Sequence, residues 1–174
     1  MKRDNTVQFK ESAEMFDTAN DLPRQTRQEL CQLLNQRLAD AVDLQSQMKQ
    51  AHWNVKGPSF IALHELFDKV YEEVGEYVDL LAERVAQLGG VAEGTVRVAA
   101  KNSRLEEYPL DIAEGSAHVQ AVSKALAAFA HDIRLAIDEA DDLDDAGTAD
   151  LFTEISRGID KSLWFVEAHL QTSR

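Results

Sequence analysis

Four long stretches of this chain repeat apolar residues every three to four positions, and its three prolines stand only at their edges or between them. After Pro23, a residue suited to a first helical turn, the residues Leu30, Leu34, Leu38, Ala41, Met48 and Ala51 trace one stripe at helical spacing. This predicts a helix over about 23–53, stopped by Asn54-Val55-Lys56-Gly57-Pro58. Ser59 can cap a second helix over about 59–88, which Gly89-Gly90 ends. Its stripe is Leu63, Phe67, Val70, Val74, Tyr77, Val78, Leu81, Val85 and Leu88. Val119, Val122, Leu126, Phe129, Ile133 and Ile137 mark a third helix over about 116–140, and Leu151, Ile155, Ile159, Leu163, Val166 and Leu170 a fourth over about 147–171. From Val91 to Gly115 the pattern lapses for long enough to cross a bundle, with a short helix expected within the crossing. The expected fold is all-α: four antiparallel helices with one long crossover between the second and third.

With 174 residues, 44% of them hydrophobic, one domain with a substantial core is expected. Its bounds are a polar N-terminal tail over 1–22 and a helical domain over 23–174. No apolar run of membrane-spanning length and no signal segment is visible, so the chain reads as soluble and intracellular, with no membrane partner. Cys31 is alone and lies on the first stripe, which suits a buried thiol better than a redox or metal residue. A net charge of -13 favours cations over nucleic acid or anionic membranes. The tail carries Lys2, Arg3 and Lys10 against Asp4, Glu11, Glu14, Asp17 and Asp21, so it is no basic arm and argues against direct DNA binding.

The second helix carries His64, Asp68, Asp79 and Glu83 away from its apolar stripe. Taking His64 as zero, Asp68 falls at about 40°, Asp79 at about 60° and Glu83 at about 100°. All four share one arc, yet Asp68 and Asp79 stand roughly 16 Å apart along the axis. One copy of the helix therefore cannot bring them to one ion. The pairs His64/Glu83 and Asp68/Asp79 have a common midpoint between Glu73 and Val74. Two antiparallel copies crossing at a two-fold axis there set His64 opposite Glu83 and Asp68 opposite Asp79, making two identical metal sites across a subunit interface. Gly75 lies on the same arc beside that axis, where a missing side chain lets backbones approach.

His52 joins the set, because the first two helices should form a hairpin and positions 52 and 64 are equidistant from Pro58. Each site then draws His52, His64 and Asp68 from one subunit and Asp79 and Glu83 from its mate. Carboxylates with imidazoles suit iron, manganese or zinc, while the lack of thiolates argues against a structural zinc site. Charged residues at this spacing also serve simply to solvate a helix. The shared arc, common midpoint, small residue at the axis and second histidine together speak against that reading. A di-iron centre inside one bundle needs Glu-x-x-His on two helices, and none of His52, His64, His118, His131 and His169 has Glu three residues before it. The last three histidines read as ordinary helix residues.

His52-Trp53-Asn54-Val55-Lys56-Gly57, followed by Leu63-His64 and Asp68, resembles the first signature of the Dps mini-ferritins. Val78-Asp79-Leu80-Leu81-Ala82-Glu83-Arg84, running to Gly89-Gly90, is similar to the second. The likeness continues through Tyr108-Pro109-Leu110-Asp111-Ile112 and Asp160-Lys161-Ser162-Leu163-Trp164-Phe165, and so covers nearly everything after about residue 25. The resemblance implies a ferritin-like four-helix bundle assembled as a hollow dodecamer in the bacterial cytoplasm, in some members associated with the nucleoid. It implies a ferroxidase that oxidises Fe(II), preferably with hydrogen peroxide, at sites between two-fold-related subunits, and stores ferric mineral inside. The family's iron ligands carry over to His52, His64, Asp68, Asp79 and Glu83, with up to two ions per site.

Trp53 resembles the family tryptophan near the site that gives up an electron and limits radical escape; an aromatic packing the hairpin is the plainer reading. Lys49 also belongs to the motif, though a solvated lysine explains it equally. Glu65, Glu72 and Glu76 could nucleate mineral if their side faces a cavity. The acidic run over 138–145 joins the third and fourth helices, where related shells form cation-drawing pores; a solvated loop whose last aspartates cap the fourth helix fits as well. Two further functions compete with iron oxidation. One is a nucleoid-compacting structural protein with incidental metal binding, and the other a helical shell whose sites hold zinc or manganese without turnover.

Overall fold

A computed structural model describes residues 15–171. Five helices follow in order: α1 (Arg24–Asn54), α2 (Phe60–Gln87), α3 (Val96–Asn102), α4 (Gly115–Asp142) and α5 (Ala146–Glu167). α1 packs against α2 and α4, and α5 against α4 and α2, so the four long helices close into a ring around one core. Lys56 N–H donates to the Ala113 carbonyl at 3.0 Å, which puts the start of α4 beside the start of α2. The crossover therefore runs the length of the bundle, laying α3 along α1 on its way. This is the four-helix, one-crossover topology expected from the sequence.

The ends of the helices follow from single residues. Gly89 takes φ +86, open to glycine at no steric penalty. From there its N–H reaches the Ala86 carbonyl at 2.9 Å while the Gly90 N–H reaches Val85 at 2.9 Å, which closes α2 in a Schellman turn. Gly90 lies against Cys31, whose buried Sγ would be 2.6 Å from any Cβ there. α4 ends in the same way with Asp144 at φ 57, one of the few side chains that tolerate it. α5 stops at Glu167, short of the expected 171, and leaves Leu170 40% exposed beyond its last turn.

The expected stripes fill the core. Every residue of the first is fully buried, as are Phe67 of α2, Phe129 of α4 and Phe152 of α5, all in one core cluster with Leu30, Leu34 and Leu126. Val78, Ile137, Leu151 and Leu163 flank it, partly buried. Residues 1–14 of the expected tail lie outside the described residues. Of the rest, Met15 is buried and Phe16 N–H donates to the Gly89 carbonyl at 2.8 Å. Among the described residues no helix is long and apolar enough to cross a membrane.

Gly158 shows how closely α2 and α5 approach, since a Cβ there would overlap the Tyr77 hydroxyl. That hydroxyl donates to Glu73 Oε1 at 3.0 Å, and Ser162 donates to the other oxygen of the same carboxylate. Gly158→Ala is expected to destabilise the fold by about 1–3 kcal/mol through overpacking. Adding Tyr77→Phe should restore most of the loss. Thermal unfolding of the single and double variants checks this, and a single variant as stable as the parent would contradict it.

Candidate metal centre

Val55 is buried at the end of α1, Gly57 turns the chain at φ +110, and the Phe60 N–H donates back to the Gly57 carbonyl at 3.0 Å. The tight hairpin this makes stacks the His52 ring on that of His64, with centroids 3.7 Å apart and planes at 22°. His52 Nδ1 bonds the His64 carbonyl at 2.8 Å, and His64 Nδ1 bonds the His52 carbonyl at 2.8 Å. A carbonyl can only accept, so each Nδ1 carries a hydrogen, and in the neutral ring each Nε2 keeps its lone pair. A backbone carbonyl holding the far nitrogen of an imidazole is the outer-shell arrangement that prepares Nε2 for a metal ion.

Asp68 lies one turn beyond His64, its Oδ1 3.9 Å from His52 Nδ1. Its immediate partner is the Lys49 ammonium, which also sits 4.6 Å from the Tyr71 ring centroid. The hydrogen bond from Lys49 holds the Asp68 carboxyl below the usual carboxylate range, against a smaller opposing effect of burial. Lys49 thus acts as the cation of this corner in the chain by itself.

Asp79 and Glu83 are exposed further along α2 and do not join this cluster. Among the described residues no three His, Cys, Asp or Glu side chains are placed to hold a metal ion within one chain. His52, His64 and Asp68 are neighbours without forming a closed coordination shell. Trp53 is 66% exposed, and so does not pack the hairpin as its plainer reading required; Ile61, also exposed, stands at the start of α2. Glu65, Glu72 and Glu76 are exposed on the same helix. Gly75 has a role inside the chain that its place near the supposed axis did not suggest. A Cβ there would come within 2.6 Å of Gln45 Nε2 on α1, so the gap admits a side chain of the same protomer.

The acidic run divides between two elements. Asp138 to Asp142 end α4, while Asp145 caps α5 by accepting from the Gly147 N–H at 3.1 Å. Arg84 of α2 reaches both Asp145 oxygens, at 2.8 and 3.0 Å. Burial works against the charged Asp145 carboxylate, but the Thr148 hydroxyl and Arg84 outweigh it and hold its pKa low.

One histidine read as ordinary is not. His118, in the first turn of α4, is 1% exposed, and its Nδ1 lies 2.7 Å from the Tyr108 hydroxyl. Tyr108 belongs to the irregular crossover, where periodicity offers no signal for such a contact.

A Ferritin-like domain matches residues 31–174, the class that four antiparallel helices with a single long crossover define. The DNA protection during starvation protein of Agrobacterium fabrum is 46% identical over 154 residues, 88% of this chain and 95% of that protein. DpsC from Streptomyces coelicolor has the same fold at a TM-score of 0.86 and 33% identity, covering 97% of this chain and 98% of its own. Mycobacterium smegmatis Dps follows at 0.84 and 33% identity, with 90% and 95% covered. The chain belongs to the Dps family of mini-ferritins.

Proposed function

We propose that this protein is a ferroxidase and iron store. It oxidises Fe(II), with hydrogen peroxide the preferred oxidant, at sites shared between two-fold-related copies, and deposits ferric mineral in a hollow dodecamer in the cytoplasm. The observation that carries the reading is the reciprocal pair of Nδ1–H bonds. It leaves two imidazole Nε2 atoms free on the hairpin whose second helix carries Asp68, while Asp79 and Glu83 on the same helix stand too far off to serve the same ion from one chain. Asp79 and Glu83 of a second copy complete the set.

Iron is the substrate. Fe(II) displaces the Lys49 ammonium from Asp68, and the carboxylates offset the charge that grows as Fe(II) becomes Fe(III). Two Fe(II) give two electrons to one peroxide, which takes up two protons and leaves as two waters. Hydrolysed Fe(III) then moves inward, helped by acidic side chains such as Glu65, Glu72 and Glu76. No hydroxyl radical forms by this route, so iron storage and protection from oxidants are one activity. Trp53, exposed beside His52, stands where it can donate an electron when only one iron is bound. The net charge of -13 turns direct DNA binding into the less favoured route to DNA protection.

Loading the protein with Fe(II) without air and then adding peroxide, followed by absorbance, tests the reading. The expected result is oxidation of two irons per peroxide, faster than with dioxygen, and a growing ferric mineral band. Metal binding with no oxidation above the protein-free rate would contradict it.

A further inference from the structure

Beneath the hairpin lies a buried pair that the iron chemistry above does not use. Tyr108, half-buried in the crossover, and His118 meet at 2.7 Å between the phenol oxygen and Nδ1. The ring of His118 is 1% exposed, and its Nε2 has no hydrogen-bond partner. Burial lowers the pKa of His118 and so favours the neutral ring, opposed by the carbonyls of Asn54 and Ile112, which lie beside it and favour the protonated form. Asn54 ends α1, adjoining Trp53 and two residues beyond His52. A phenol bonded to a neutral imidazole can lose an electron and hand over its proton in one event, which avoids the costly phenol cation.

The other two tyrosines are worse placed for this. Tyr71 lies under the Lys49 ammonium, whose charge opposes the loss of an electron. Tyr77 donates to a carboxylate, ordinarily a weaker proton acceptor than imidazole.

We propose that Tyr108 and His118 form a proton-coupled electron donor that consumes one-electron oxidants escaping the iron site, a role that rests on the peroxide reading above. The oxidant is the hydroxyl radical made when a single Fe(II) gives one electron to peroxide, leaving Fe(III) and hydroxide. Tyr108 supplies one electron to that radical, which takes a solvent proton and becomes water. The phenol proton moves to His118 Nδ1, leaving a neutral tyrosyl radical beside an imidazolium that faces the two carbonyls.

The test has two arms. In the first, iron-free protein is oxidised by a flash-generated ruthenium(III) tris-bipyridine complex and examined by electron paramagnetic resonance. The neutral tyrosyl signal should appear in the parent and in Tyr77→Phe and be lost in Tyr108→Phe. Equal signals in the parent and Tyr108→Phe, or a signal lost instead with Tyr77, would overturn the proposal. In the second, Fe(II)-loaded protein receives peroxide with a spin trap. Tyr108→Phe should at least double the trapped hydroxyl radical while leaving the initial rate of Fe(II) oxidation unchanged, and unaltered trapping would overturn the protective role. A Tyr108 radical in the first arm with no Fe(II) oxidation by the parent in the second would overturn the peroxide reading and leave the redox pair standing.

Discussion

Subunits carrying His64→Ala are expected to oxidise Fe(II) with peroxide at least about a hundredfold more slowly than the parent. Losing only an outer-shell partner typically takes 10–100-fold from metal affinity or activity, and here a ligand itself is removed. The fold should survive the change. His52 bonds the backbone carbonyl of residue 64, an acceptor that alanine also supplies, so the remaining imidazole keeps its tautomer. What disappears is one nitrogen donor, the stacking of two half-buried rings and the bond from His64 to the His52 carbonyl. Initial rates of peroxide-driven oxidation, read beside a thermal melt, separate ligand loss from unfolding. A melt close to that of the parent with an undiminished rate would remove His64 from the site.

Arg37→Met should produce the largest loss of stability. Arg37 and Asp40 are 3% and 0% exposed and pair at 2.9 Å inside the α1 face that meets α4 and the crossover. Asp40 also accepts from the Arg104 N–H at 2.8 Å and from Gln36 Nε2 at 3.3 Å. Burial already pushes its pKa up, with Arg37 the chief influence opposing it. Removing the guanidinium leaves a buried carboxylate facing only neutral donors, a change that typically costs about 3–5 kcal/mol. Asp132, at 3.1 Å from the other guanidinium nitrogen, is partly exposed and can turn to water. The sign of the pH dependence follows from the raised pKa of Asp40. The folded state holds this proton more tightly than the unfolded one, so the penalty of the charged form is present above the folded pKa and fades as the pH falls through it. The stability gap between Arg37→Met and the parent should therefore narrow on acidification, as measured by urea unfolding at fixed protein concentration. A gap that widens would mean that Asp40 is not the group left unpaired.

The architecture was legible because its information is periodic. Leu30, Leu34 and Leu38, or Phe67, Val70 and Val74, declare a buried face whatever they pack against, and Gly89-Gly90 marks a helix end by conformational freedom alone. Contacts that depend on the third dimension were not legible. That Lys49 pairs with Asp68 needs the hairpin angle, and that His52 and His64 exchange bonds with each other's carbonyls needs its register. Equal distances to Pro58 put His52 and His64 side by side but carry no information on which nitrogen is free. Gly75 shows the limit of reasoning from one helix wheel. Its place on the arc suggests a close approach of two copies, and the space it leaves also admits Gln45 of the same chain, a contact no wheel shows. Tyr108 and His118 were missed because one lies in an aperiodic crossover and the other begins a new helix, so no single period relates them.

The proposed centre requires that each site be built by two chains, and subunit mixing tests this most directly. Pure assemblies of His64→Ala and of Glu83→Ala are prepared, dissociated, combined in equal amounts and reassembled, and peroxide-driven Fe(II) oxidation is measured. With random pairing half of the two-fold pairs are mixed, and one of the two sites in each mixed pair receives an intact His64 and an intact Glu83. Recovery to about a quarter of the parent rate is the result expected of such an isologous pair. A mixture no more active than either pure assembly, although the two variants are shown to share assemblies, would contradict a site made from two subunits.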